Sequence, residues 1–506
     1  MNPDTAEFAI VDSASELIGG FGRPAGDARQ AREAGGAREA HDGGALSGYL
    51  ARLLDRRQRL RADAAHRAAV RDCRRALWSS RALVWIAGSG TLLAFGYGPV
   101  RHAFDPPRTT SGFGWLGDLL AGPAARWDAA WYLVIAHYGY RPDLGTFTAS
   151  RAAFFPLYPL GLRSSTWLGI PPVLGGVLLS LAALALALYG IHRLTTLELA
   201  NLVRSRGRPA TIAGAGDHSV ARLVVMATAF APMAFYLSAV YSESLYLALS
   251  VGLFWSARQG RFAAAGVLGA LAAATRSAGV VLLVPALLLY LYGPREDRPP
   301  DRAADPSRAR VRRLLPRYRV RGDMLWLALV PVGLGLFIAY LALSGGEALA
   351  PFHAQDVWGR QFAGPYMGVW DGIKAAFAGA RQLLSFQRRH VYFPIAGGSP
   401  FVTAGHNVML LAFLLAAVPA IVGVLRMLPL AYGVYVLAAL ALPLSYPVAP
   451  QPLMSLPRFL VVLFPLSIWL AAWLAAHPRA RIPALAASGL LMAFFVAQFA
   501  TWHWVA

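Results

Sequence analysis

The chain has 506 residues, 57% of them hydrophobic and only 14% charged. Several apolar runs approach the roughly 20 residues needed to cross a bilayer, which excludes an ordinary soluble domain. The net charge of +21 is carried almost wholly by arginine, since Lys374 is the sole lysine. Those arginines fall mostly in alternate inter-span segments, which is the positive-inside pattern of a protein seated in a lipid bilayer. No nucleic-acid partner is therefore expected. Cys73 is the single cysteine, so no intrachain disulfide can form.

Residues 1–48 are rich in Gly, Ala, Asp, Glu and Arg, poor in large apolar side chains, and read as disordered. Residues 49–77 set Leu50, Leu53, Leu54 and Leu60 among arginines and read as a helix lying on an anionic leaflet. Residues 1–80 hold no apolar run of signal-peptide length and are expected to form a basic cytoplasmic tail. One membrane domain then occupies 81–506. Its first span, 81–100, is preceded densely by arginine, which sets the N-terminus inside.

The next clear span is 173–192, leaving about seventy residues outside, more than a connection without a function usually has. There Arg126-Trp127-Asp128 opens a run of helix formers that Gly139 and Pro142 end after about three turns. Trp131, Tyr132, Tyr138 and Tyr140 are ring types that settle at headgroup level. A carboxylate held at that boundary can act on a lipid-linked substrate. Asp128 can also simply cap the helix by accepting bonds from its first amides. Phe154-Phe155-Pro156-Leu157-Tyr158-Pro159 follows, and its two prolines are expected to break any helix there.

Residues 193–222 are basic and expected inside. Two tight pairs of apolar segments come next, 223–239 with 245–257 and 262–275 with 280–292, the first closed inside by Arg258 and Arg261. Tyr241-Ser242-Glu243-Ser244 stands at the first tip and Arg276-Ser277 at the second. Ten arginines between Arg295 and Arg321 mark the inner return. About seventeen helical residues cover roughly 25 Å of a hydrocarbon core of roughly 30 Å, so both tips lie slightly below the outer surface. Charges there face a cavity or a partner, and a structural Glu243–Arg276 ion pair meets the same requirement. After a span at 324–343, residues 344–400 form a second long outer segment with Trp358, Arg360, Tyr366, Trp370, Arg381, Arg388, Arg389 and His390. These bases suit phosphate groups or plain solvent. Spans at 402–425, 428–446, 459–476 and 483–502 complete an all-α polytopic bundle of about eleven transmembrane helices with two long extracytoplasmic loops.

No Cys/His set has zinc-ligand spacing and no glycine-rich loop follows a strand, so neither a metal nor another cofactor is expected. What gathers on the outer face is Arg126 and Asp128, Glu243, Arg276 and Arg458. A carboxylate beside several arginines suits transfer from a phosphate-linked donor. The carboxylate takes the proton of an attacking hydroxyl. Guanidinium groups hold the departing phosphate.

Arg126-Trp-Asp, Ile135-Ala-x-x-Gly-Tyr140 and Phe154-Phe-Pro-Leu-Tyr-Pro159 resemble the family of the second GPI mannosyltransferase, the PIG-V family. Tyr241-Ser-Glu-Ser244, Ala274-Thr-Arg-Ser277 and Ser455-Leu-Pro-Arg458 resemble its later motifs in the same order, across roughly residues 80–476. The resemblance implies a GT-C-type integral membrane glycosyltransferase. It would move mannose from a polyprenyl-phosphate or dolichyl-phosphate donor to a lipid-linked or glycan acceptor. Asp128 takes the place of that family's acidic residue in the first outer loop. Arg126, Trp127, Tyr158, Glu243, Arg276 and Arg458 become the expected substrate-binding residues. Trp131 and Tyr132 stand where the family often has histidine or phenylalanine, and the long basic tail is not a family feature. Arginine bias and tail point to a bacterial cell membrane, where a GPI acceptor is not expected. A flippase or transporter of a lipid-linked glycan is the competing reading.

Overall fold

A computed structural model describes residues 63–96, 114–140, 151–206, 218–301, 315–344, 346–386 and 399–505. The chain falls into two units, residues 1–67 and 68–506. Most of the expected basic tail lies outside the described residues. Its last part is helical, but it is not a separate surface helix, because α1 (Ala64–Phe95) runs unbroken into the first expected span.

Beyond α1 come α2 (Trp115–Leu120), α3 (Ala129–Tyr138) and α4 (Leu157–Trp167) in the first long connection. They are followed by α5 (Pro172–Arg206), α6 (His218–Ala229), α7 (Glu243–Arg258), α8 (Phe262–Ala273) and α9 (Leu283–Tyr292). Then α10 (Leu329–Leu343), α11 (Ala350–His353) and α12 (Pro365–Ser385) lead to α13 (Pro400–Met427) and α14 (Leu430–Leu444). The chain closes with α15 (Leu456–Val461), α16 (Phe464–Ala476) and α17 (Pro478–Ala500). Among the described residues, four stretches are long and apolar enough to cross a bilayer unaided: Pro172–Leu202, Gly322–Leu343, Pro400–Met427 and Pro478–Ala500. Shorter apolar helices pack among them, and the protein is an all-α polytopic membrane protein.

Two local expectations are corrected. The prolines of the Phe154–Pro159 motif do not exclude a helix: Pro156 is the N-cap of α4 and Pro159 lies in its first turn. The first amides of a helix have no intrahelical acceptor, so proline removes nothing there. The segment 223–239 is not one helix either. α6 stops at Ala229, and the chain continues through an irregular buried stretch with a 3-10 turn at Ala234–Leu237 before Glu243 starts α7. Arg258, expected at the inner end of the first pair, is fully buried. Its guanidinium pairs with Glu198 of α5 and donates to the Pro294 carbonyl at 2.8 Å, while Tyr432 Oη donates to Glu198 at 2.8 Å.

Non-helical backbone inside a membrane protein survives only where its polar groups find partners. Here Arg81, fully buried in α1, supplies them. It donates to the carbonyls of Ala229 at 2.9 Å and Ala234 at 2.8 Å and to Ser238 Oγ at 2.7 Å. Ser180 Oγ donates to Ala239 O at 2.8 Å, and Val240 N to Ala124 O at 2.9 Å. The irregular stretch that delivers Glu243 is thus tied to α1, α5 and the first long connection.

α8 packs almost backbone to backbone against α10 and the 3-10 turn Gly322–Ala328 that leads into it. A Cβ built on Gly333 would stand 1.9 Å from Ala270 O, and one on Gly266 2.0 Å from Trp326 O. Small residues permit such contact where lipid supplies no hydrophobic drive. Gly333→Ala is predicted to push the helices apart and cost about 1–3 kcal/mol, read as a lower thermal midpoint in detergent. Gly335→Ala, with nothing within 4 Å, is expected to change stability by no more than about 0.5 kcal/mol.

Candidate active site

Four charged side chains from four breaks in the helical pattern meet in a string of alternating sign. Asp128 is the N-cap of α3, Glu243 the first residue of α7, Arg276 the residue before the 3-10 turn Ser277–Leu282, and Arg458 lies in α15. Arg458 Nη1 donates to Asp128 Oδ2 at 2.6 Å, and its Nε lies 3.4 Å from Glu243 Oε1. Arg276 Nη1 donates to the same Glu243 oxygen at 2.8 Å. The ring of Phe459 lies under both guanidinium groups, 5.4 Å from Arg276 and 5.5 Å from Arg458. Tyr236 and Tyr241 each lie 5.7 Å from Arg458. Charges this close in a poorly solvated site interact far more strongly than in water.

The two carboxylates differ in access. The Glu243 side chain is 1% exposed and that of Asp128 18%. Asp128 caps α3 by position only, because its side chain makes no capping hydrogen bond. Its Oδ2 is committed to Arg458, which leaves Oδ1 without a hydrogen bond among the described residues. Glu243 Oε2 is buried and likewise has no partner among them.

The structure brings Asp128, Glu243, Arg276 and Arg458 together and sets Arg126, Trp127 and Tyr158 behind them. Arg126 is buried, donates to Ala500 O at 3.1 Å and lies 5.0 Å from the Trp502 ring. Trp127 has φ +56°, a left-handed conformation that costs a non-glycine residue on the order of 1–2 kcal/mol. Its buried ring is gripped edge-on by Trp502 at 5.8 Å and Trp504 at 5.3 Å. Tyr241 Oη donates to Arg126 O at 3.0 Å. These contacts turn the backbone so that Asp128 projects toward Arg458. Tyr158 donates to Gly176 O at 3.1 Å and packs its ring 5.1 Å from Tyr132, whose hydroxyl meets Ser242 Oγ at 2.9 Å.

The site has neighbours whose meeting no local motif announces. Trp131, one turn along α3 from Asp128, stacks on Phe154 at 5.6 Å and meets Trp358 edge-on at 6.2 Å. Two residues past Trp358, Arg360 bridges to Val448 and donates to Tyr446 O at 3.4 Å. Arg388, Arg389 and His390 lie outside the described residues. Among the described residues, no group of three His, Cys, Asp or Glu converges as a metal site.

Fold and site define a polytopic all-α membrane protein whose helix breaks assemble a carboxylate–guanidinium centre. Residues 101–288 match the family model described as Mannosyltransferase (PIG-V). The chain is 32% identical over 192 residues to GPI alpha-1,6-mannosyltransferase 2 of Cricetulus griseus, and 33% over 193 residues to that of Rattus norvegicus. Each match covers 36% of this chain; the matched stretch spans 35% of the hamster protein's length and 36% of the rat's. The human protein of the same name is 29% identical over 187 residues. No solved structure matches the chain. Asp128, Glu243 and Arg276 lie inside the matched stretch, and Arg458 lies beyond it.

If Arg458 holds both carboxylates in place, its energetic tie to Asp128 is measurable. A double-mutant cycle of Asp128→Asn and Arg458→Gln is expected to give a coupling of about 1–3 kcal/mol in unfolding free energy. A cycle pairing Asp128→Asn with the distant Tyr432→Phe is expected to give none.

Proposed function

We propose that this protein is a glycosyltransferase that moves mannose from a polyprenyl-phosphate donor to a lipid-linked or glycan acceptor, working at the extracytoplasmic face. The observation that carries this reading is Asp128, an accessible carboxylate that does not cap its helix and is aimed by Arg458. The similarity of residues 101–288 to the PIG-V mannosyltransferase model supports the class of sugar transferred. The hamster, rat and human relatives are named for α-1,6 transfer in GPI assembly. The acceptor of this chain need share with theirs only a free hydroxyl that can reach Asp128.

The chemistry follows from the geometry. Asp128 Oδ1 accepts the proton of the acceptor hydroxyl, and that oxygen attacks the anomeric carbon of the donor sugar. The bond from that carbon to the phosphate oxygen breaks, and polyprenyl phosphate leaves with the bonding electrons. One displacement with one base inverts the anomeric centre. Arg458 and Arg276 stabilise the charge growing on the phosphate, in the role a divalent ion plays elsewhere. Glu243 keeps both guanidinium groups oriented. Arg126 and Trp127 act by fixing the turn that presents Asp128, and Tyr158 by backing Tyr132.

Orientation is supported by charge. α7 has 16 residues, so Glu243 and Arg258 lie roughly 22 Å apart along it. The Arg258 end lies against Pro294 and Glu296, where the arginine-rich stretch of the sequence begins, which suits the cytoplasmic side. In a Cys73→Ala background, a cysteine at Phe362 is expected to react with an impermeant thiol reagent on intact cells. One at Asp301 is expected to react only after lysis; the opposite pattern would invert the topology.

Activity is tested with purified protein in nanodiscs, labelled polyprenyl-phosphate mannose and a membrane-lipid extract. Asp128→Asn is expected to retain fold and donor binding and to lower turnover about 10²-fold or more. Glu243→Gln is expected to weaken stability or donor affinity, because it loosens two cations at once. Near-normal turnover by a well-folded Asp128→Asn protein would remove Asp128 as the base.

A further inference from the structure

The second long connection sends one more cation toward the centre. Its segment 354–364 is fastened at three places. Trp358 packs on Trp131 and Phe154, Arg360 pairs in a bridge with Val448, and Ala363 N donates to Ser445 O at 2.9 Å. Trp131 belongs to the helix that Asp128 begins, and Val448 to the strand of chain that runs on to Arg458. The segment therefore spans the gap between the two sides of the site, with Arg360 in the middle of it.

Arg360 is half-buried and has no carboxylate within ion-pair distance among the described residues. Among the described residues its guanidinium makes one hydrogen bond, the long one to Tyr446 O at 3.4 Å. Desolvation, and then the charge of Arg458, push its guanidinium down to about 10, while Asp128 pulls the other way. Both named groups belong to the site, so Arg360 shares their field. A guanidinium group in this position is short of one anion. Counting the carboxylates as ionised, Arg276, Arg360 and Arg458 face Asp128 and Glu243 with one positive charge to spare. A phosphodiester carries one negative charge.

We propose that Arg360 is a third ligand of the donor's phosphate, beside Arg458 and Arg276. The inference rests on the polyprenyl-phosphate reading above and deepens it, because it names a residue outside the stretch shared with the PIG-V model. The phosphate of a bilayer phospholipid has the same chemistry, and the experiment separates the two sources. Arg360 binds the phosphate before and during transfer, so its loss raises KM more than it lowers kcat. That profile is the reverse of the one expected for Asp128→Asn.

Binding of labelled polyprenyl-phosphate mannose is measured on full-length protein in phosphatidylcholine nanodiscs, with and without phosphatidylglycerol as competitor. Arg360→Gln is expected to raise the donor Kd about ten- to hundred-fold, the effect of losing a charge-assisted contact. Arg360→Lys keeps the charge and loses the fork, and is expected to fall between the two. Thermal unfolding without donor accompanies each variant, and Arg360→Lys carries the test should the glutamine variant not fold. Unchanged donor Kd in the folded variants overturns the inference alone. A change confined to phosphatidylglycerol competition assigns Arg360 to bilayer lipid and also overturns it. Failure of the wild-type protein to bind the donor overturns the donor reading, and the inference with it.

Discussion

Arg458 stands between two carboxylates that belong to segments far apart in sequence. Asp128 and Glu243 could not approach one another without a cation between them, since like charges in a poorly solvated site repel strongly. One guanidinium, with several donors in a rigid fork, bonds Asp128 from Nη1 and faces Glu243 with Nε. Lysine would offer its three donors on a single nitrogen, a point charge without the planar fork. The other features of the site follow from that arrangement. Arg276 adds the second cation that Glu243 can hold, and Phe459 gives both cations a ring to rest on.

A site of this kind needs irregular backbone where lipid would forbid it. Every one of its four residues sits at a helix start, a turn or a short helical fragment, because a continuous span would carry the side chain past the meeting point. The cost of interrupting the helices is met by buried side chains that bond the exposed carbonyls, as Arg81, Ser180 and Tyr241 do. The same logic explains why Arg126 and Trp127 accompany Asp128 in one short motif. They hold a strained turn in place with an arginine–carbonyl bond and a tryptophan trio.

The bundle and the four converging residues were legible in the sequence for different reasons. Apolar runs bounded by arginine report the spans directly, because the bilayer imposes their length. Asp128, Glu243, Arg276 and Arg458 stood out as charges in apolar, aromatic surroundings, where an unpaired charge is costly. Other features have no local signal. Arg81 and Arg258 read as span-flanking charges, and only packing reveals that each is enclosed by partners from other helices. The prolines at 156 and 159 look like breakers until the helix start is located, after which they fit its first turn. Arg360 reaches the site from a loop, and nothing in its own neighbourhood says which helix that loop crosses.

Arg81 also bears on how the protein is made. Its guanidinium is fully enclosed, yet the first carbonyls it bonds belong to Ala229, 148 residues later in the chain. Until those residues are made, α1 carries an arginine whose native carbonyl partners do not yet exist, and its own helix offers it only Ser80 Oγ at 3.3 Å. The lowest-energy course for the nascent chain is to leave α1 near the translocon or the headgroups until α6 arrives. Insertion order and final packing are then separate events, and α1 completes its native contacts only after α6 has been made.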